Sequence, residues 1–165
     1  MEKPLWAPWR MEFIDAPKPA GCVFCDLPGR DASEDRQTLV AHRSSHSFTL
    51  LNRFPYNSGH VMVIPRRHTA DLAALPPEAF ADLHEEVKRA IAALKAAYSP
   101  EGFNVGMNLG KVAGAGIADH LHYHVVPRWG GDTNFMPLLA ETKVLIEHLE
   151  ATWERVRNGF EVSGR

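Results

Sequence analysis

The sequence predicts an α+β fold, with an antiparallel sheet of about five strands, one long central helix and a C-terminal helix. Three observations carry that expectation. Strand-like segments follow one another closely between residues 38 and 65 with turn residues between them, which suits antiparallel neighbours better than a doubly wound parallel sheet. Residues 76–99 repeat apolar side chains at three- and four-residue steps, the period of one long helix. The run Asp119-His120-Leu121-His122-Tyr123-His124-Val125-Val126-Pro127 alternates imidazoles with apolar residues, the period of a half-buried strand.

At 165 residues the chain suits one domain with a sizeable core. The expected division is an irregular segment over 1–37, a core over 38–127 and a C-terminal segment with a helix over 128–165. Pro4, Pro8, Pro17, Pro19 and Pro28, with Gly21 and Gly29, keep regular structure sparse in the first segment. Its cluster Trp6-Ala7-Pro8-Trp9-Arg10 is aromatic enough to pack on something. Thr38–His42 and Ser47–Asn52 read as strands. Pro55-Tyr56-Asn57-Ser58-Gly59 is turn chemistry, and His60–Pro65 is a strand apolar on both faces, so the middle pair forms a long hairpin.

Pro76-Pro77-Glu78 opens the long helix, whose stripe is Phe80, Leu83, Val87, Ile91 and Leu94. It ends near Ser99-Pro100-Glu101-Gly102. Phe103–Leu109 is a further strand, and the glycine-rich loop Gly110–Gly116 leads into the histidine strand. Leu145, Leu149, Trp153 and Val156 mark the last helix.

Composition removes several classes of function. A net charge of −2, with signs mixed, does not suit a surface that coats nucleic acid. No apolar run reaches the length of a membrane span. Met1-Glu2-Lys3-Pro4-Leu5-Trp6 lacks the basic start and apolar stretch of a secretory signal, so a reducing, cytoplasmic setting is expected. The two cysteines, Cys22 and Cys25, are too close to staple a fold and read as half a metal site or a redox pair.

The histidine row is where the chemistry lies. On a strand, His120, His122 and His124 would share a face. They are exposed polar residues, an open three-histidine zinc tripod, or a nucleophile with two supporting imidazoles. The loop before them, with Gly114, Ala115 and Gly116 at its end, can turn backbone N–H groups toward phosphate oxygens. Beside such a cradle, an imidazole suits phosphoryl or nucleotidyl transfer.

His120-Leu-His122-Tyr-His124-Val-Val resembles the signature of the histidine triad (HIT) superfamily of nucleotide hydrolases and transferases. Leu51–His60 with Val61–Pro65 is similar to that family's ribose-binding hairpin. The resemblance implies the HIT-like fold, with His122 as the nucleophile at the α-phosphorus, His124 on the phosphate oxygens and His120 in support. It places Asn52 at the ribose hydroxyls, His60 in support of the site and Asn108 near the nucleotide phosphate. It implies a homodimer paired through the long helix and a sheet edge. Zinc-containing members imply a closed structural site from Cys22, Cys25, His68 and His120. That site competes with the tripod for His120, and a metal-free cysteine pair is the third possibility. No organic cofactor is called for.

Leu5–Arg10, Gly114–Asp119 and Pro127–Met136 are similar to the bacterial and archaeal diadenosine tetraphosphate phosphorylase-like branch. Many hydrolase members carry glutamine and a hydroxyl residue four and three positions before the first histidine, whereas Gly116 and Ile117 stand here. Without side-chain help, a polyphosphate leaving group is favoured over an amine. The expected activity is cleavage of dinucleoside polyphosphates through a nucleotidyl-histidine, with phosphate as acceptor. The alternatives are release of AMP from adenylylated small molecules, or nucleotide binding with little turnover.

Overall fold

The computed structural model describes residues 21–132 and 147–164. The Trp6–Arg10 cluster, Thr133-Asn134-Phe135-Met136 and Leu145 lie outside the described residues. Five strands, β1 (Val40–Arg43), β2 (Ser47–Leu51), β3 (Val61–Pro65), β4 (Gly102–Met107) and β5 (Tyr123–Arg128), form one sheet in the order β1-β2-β3-β5-β4. Every neighbouring pair is antiparallel. Among the described residues the α-helices are α1 (Asp35–Thr38), α2 (Pro77–Tyr98) and α3 (Leu149–Ser163).

The expected hairpin is β2 with β3, in register from Ser47 opposite Pro65 to Leu51 opposite Val61. Both strands are buried throughout, as their lack of a polar face requires. The late strand β5 enters between β3 and β4, with Met62 opposite His124 on one side and Gly106 opposite His124 on the other. His124 therefore lies inside the sheet, flanked by a strand on each side.

Several boundaries differ from the sequence expectation. The first strand begins at Val40, because Leu39 takes a left-handed φ of 64° that ends α1. The fourth runs over Gly102–Met107 rather than Phe103–Leu109. A single 3₁₀ turn over Lys111–Ala113 sits inside the glycine loop. The histidine strand starts only at Tyr123, so His120 and His122 project from the irregular segment before it. In α2 the stripe holds for Leu83, Val87 and Leu94, Ile91 is half-buried, and Phe80 is exposed.

Helices α2 and α3 pack on each other and on the sheet. Their closest approach is at Gly159, where a Cβ would lie 2.3 Å from the Ala93 carbonyl oxygen, so no larger residue fits. Helix α3 also closes the β1 edge: Trp153 Nε1–H donates to the Val40 carbonyl at 2.8 Å and Arg157 to the Ala41 carbonyl at 3.0 Å. Glu86 of α2 is fully buried and accepts from Thr49 Oγ1 at 2.6 Å and from His42 Nδ1 at 2.8 Å. A buried carboxylate needs such partners to avoid the desolvation cost.

Candidate functional site

Two clusters meet at the start of β5. The first draws on the Cys22–Cys25 turn, the end of β3 and His120. Cys22 Sγ lies 3.3 Å from His120 Nδ1, Cys25 Sγ 3.3 Å from His68 Nδ1, and the two Nδ1 atoms are 3.2 Å apart. All four donor atoms fall within 4.8 Å of one another, close enough to hold a metal ion. His120 Nε2–H donates to the Pro65 carbonyl at 2.7 Å, which leaves Nδ1 with its lone pair toward the sulfurs. Burial pushes the His120 pKa down, and this also favours the neutral ligand form.

The second cluster holds His122, His124, His60 and Asn52. His122 is 4% exposed, and its Nδ1 lies 2.9 Å from the His120 carbonyl oxygen. A carbonyl only accepts, so Nδ1 carries the proton and Nε2 keeps a lone pair. Burial lowers the His122 pKa, holding the ring neutral and nucleophilic.

A parallel deduction fixes His124. The Tyr56 backbone N–H donates to His60 Nδ1 at 3.0 Å, so His60 carries its proton on Nε2. That nitrogen lies 2.9 Å from His124 Nδ1, which must accept. His124 therefore bears its proton on Nε2. The His122 and His124 rings stand 5.0 Å apart at 76°. A lone pair on one imidazole is thus set beside an N–H on the next, the pairing that nucleophilic attack with acid assistance requires.

The turn that holds His60 is built by Gly59, whose φ is 74° and whose Cβ would stand 3.1 Å from Tyr98. Asn52, at the other end of the hairpin, accepts from the Phe54 backbone N–H at 3.0 Å and sets its Nδ2 3.4 Å from His60 Nδ1. Asn108 reaches the glycine loop, where a Cβ on Gly114 would lie 3.8 Å from Asn108 Nδ2. In that loop the N–H groups of Gly114 and Ala115 turn back to the Lys111 and Gly110 carbonyls, at 3.0 and 3.4 Å. Gly116 follows them, and Ile117 packs against the core.

The three histidines of the row do not converge as an open tripod, because His120 turns its Nδ1 to the cysteines and His68. Among the described residues, the convergent ligand group is Cys22, Cys25, His68 and His120.

Two features escape the sequence reading. Phe24, between the cysteines, is buried against both His120 and His122. Asp132 receives Arg128 through two bonds of 2.6 and 2.8 Å and Asn57 Nδ2 at 2.9 Å, which ties the hairpin to the end of β5. Alternation within Cys-Val-Phe-Cys was the available signal for the first; nothing local marks the second.

A profile of the HIT domain matches residues 33–131. The AP-4-A phosphorylase of Mycobacterium tuberculosis is 40% identical over 154 residues, covering 90% of this chain and 79% of that protein. A zinc-bound histidine triad family protein from Mycobacterium smegmatis superposes with a TM-score of 0.67 at 28% identity, over 86% of this chain and 94% of that one. A hypothetical histidine triad nucleotide-binding protein from Sulfolobus tokodaii gives a TM-score of 0.69 at 25% identity, over 86% of this chain and 93% of that one.

Proposed function

Because the chain belongs to the HIT domain family, we propose that it is a nucleotidyl transferase that splits dinucleoside polyphosphates and passes the nucleotide to phosphate. The observation that carries the reading is the adjacent pair: a buried His122 with its Nε2 lone pair available, beside a His124 that is protonated on Nε2.

His122 Nε2 attacks an adenylyl phosphorus, forming a P–N bond as the P–O bond to the polyphosphate breaks. From diadenosine tetraphosphate the leaving group is ATP. His124 Nε2–H hydrogen-bonds the phosphate oxygens and offsets charge as it builds on them. Phosphate then attacks the same phosphorus, the P–N bond breaks, and ADP leaves with His122 restored. Asn52 holds the ribose hydroxyls, Asn108 and the Gly116 backbone face the phosphates, and His60 keeps His124 in its tautomer. The Gly114 and Ala115 N–H groups are taken up within the loop and shape it.

Gly116 and Ile117 offer no side-chain proton donor to the leaving group, so polyphosphate leaves more readily than an amine. This favours the present reading over adenylylated amines, and the 40% identical relative named AP-4-A phosphorylase supports it.

The metal in this reading is zinc, held by Cys22, Cys25, His68 and His120. Tetrahedral zinc with ordinary bond lengths sets N–N edges near about 3.3 Å and N–S edges near about 3.6 Å. The cluster has 3.2 Å for N–N and 3.3–3.7 Å for N–S. Four protein ligands leave no place for water, so the ion's contribution is structural. A reducing cytoplasm suits its two thiols. No described helix is long and apolar enough to cross a membrane. The β4 edge, with Val105 exposed, is the place for pairing with a second copy in a homodimer.

Incubation with diadenosine tetraphosphate, with and without phosphate, tests the reaction. ADP and ATP in equal amounts support it, whereas AMP as the sole acceptor product in excess phosphate defeats the phosphorylase reading.

A further inference from the structure

We propose that Phe24 is a positioning residue for His122, the link through which the Cys22–Cys25 turn governs the reacting imidazole. The inference rests on the reading of His122 as nucleophile. The turn is closed by the Cys25 N–H on the Cys22 carbonyl at 3.1 Å. It leaves Val23 exposed and drives Phe24 inward until only 2% of its surface remains accessible.

The phenyl ring meets two imidazoles with different jobs. It stands edge-on to His120 at 5.5 Å and 90°, and tilted against His122 at 5.5 Å and 58°. His122 contacts the His124 ring as well, at 5.0 Å. Its Nδ1 hydrogen bond to the His120 carbonyl fixes one atom of the ring but leaves the ring free to tilt about that bond. The phenyl takes up the space such a tilt needs. One side chain therefore spans the metal cluster and the nucleophile, and its own backbone is flanked by two of the four metal ligands. When the cysteines are held, Phe24 is held, and Nε2 of His122 points along a single line.

An aliphatic residue of similar bulk keeps the core filled but offers no flat ring to either imidazole. A merely structural Phe24 would therefore show itself in stability and in the loss of its ring current, with the rate unchanged. A positioning Phe24 shows itself in the orientation of His122 and in the rate of the step His122 performs, with nucleotide binding intact. Misplacing a reacting group by a fraction of an ångström to an ångström costs on the order of a hundredfold in rate.

The test compares wild type, Phe24→Leu and Phe24→Met, each loaded with zinc and held at one pH. Zinc content and urea midpoint are read first, followed by long-range ¹H–¹⁵N spectra of the His122 ring and the single-turnover rate of adenylylation by diadenosine tetraphosphate. The expected result is zinc retained and nucleotide KM within about twofold, with altered His122 resonances and adenylylation slowed about ten- to a hundredfold. Lowered stability with an unchanged adenylylation rate, and with His122 resonances moved only by the lost ring current, would overturn the proposal. Should both variants lose zinc, wild type stripped by a chelator becomes the reference, because zinc removal also reaches His122 through the His120 carbonyl. Variants that match it in adenylylation rate, with His122 resonances differing only by the lost ring current, refute the proposal, and variants slower than it uphold it. The spectra need no turnover. A wild type that forms no adenylyl-histidine therefore defeats the nucleophile reading separately from the Phe24 claim.

Discussion

His60 Nε2 lies 2.9 Å from His124 Nδ1, and the direction of that hydrogen bond is set from outside the pair by the Tyr56 backbone N–H. A backbone amide in the β2–β3 turn thus determines which nitrogen of His124 bears the proton. The hairpin therefore fixes the tautomer of His124.

Replacing His60 with Leu removes the donor that fixes His124. We expect kcat to fall about a hundredfold with KM for the nucleotide little changed, and by a similar factor whatever the leaving group, because His124 acts on the phosphate oxygens. His60→Gln keeps an N–H at the end of the side chain and should recover part of the rate. Steady-state kinetics on substrates with graded leaving groups provide the check, and a loss that grows with leaving-group basicity would instead place His124 on the leaving group.

Cys22→Ser removes one of the four ligands. Zinc affinity should drop more than tenfold, and the thermal midpoint should fall with it, because metal binding is part of the folding free energy. Metal analysis after dialysis, alongside calorimetry, measures both. Full retention of metal would contradict the four-ligand site.

Gly159→Ala places a methyl group where the Ala93 carbonyl oxygen already stands, 2.3 Å away. The two helices must separate, at a cost of about 1–3 kcal/mol or more from overpacking. Urea unfolding would show it as a lowered midpoint with the slope unchanged.

Substrate preference follows from Gly116 and Ile117. Wild type should cleave diadenosine tetraphosphate at least about tenfold more efficiently than an adenylyl phosphoramidate, since an amine needs protonation to leave. Comparison of kcat/KM on the two substrates settles the ranking.

How much of this was legible in the sequence depends on the range of the interactions involved. Strands β2 and β3 and the middle of α2 were readable because burial imprints a period on neighbouring residues. Leu39 was not, since its left-handed turn contradicts an otherwise strand-like run. Glu86 reads as a solvent-facing charge, and its partners His42 and Thr49 lie 44 and 37 residues away. The alternation of the triad suggested one strand face, yet His120 and His122 precede the strand, with the His120 side chain turned to the cysteines and its carbonyl turned to His122. The tautomers of His122 and His124 depend on a carbonyl and an amide that no motif records.

The measurement closest to the central claim is an acid quench of the protein during turnover of adenylyl-labelled diadenosine tetraphosphate, followed by peptide mapping. The account expects adenylate on His122 in wild type, its disappearance into ADP when phosphate is added, and no adduct in His122→Ala. A wild type that turns over with no trapped adduct, or an adduct that persists in His122→Ala, would contradict it.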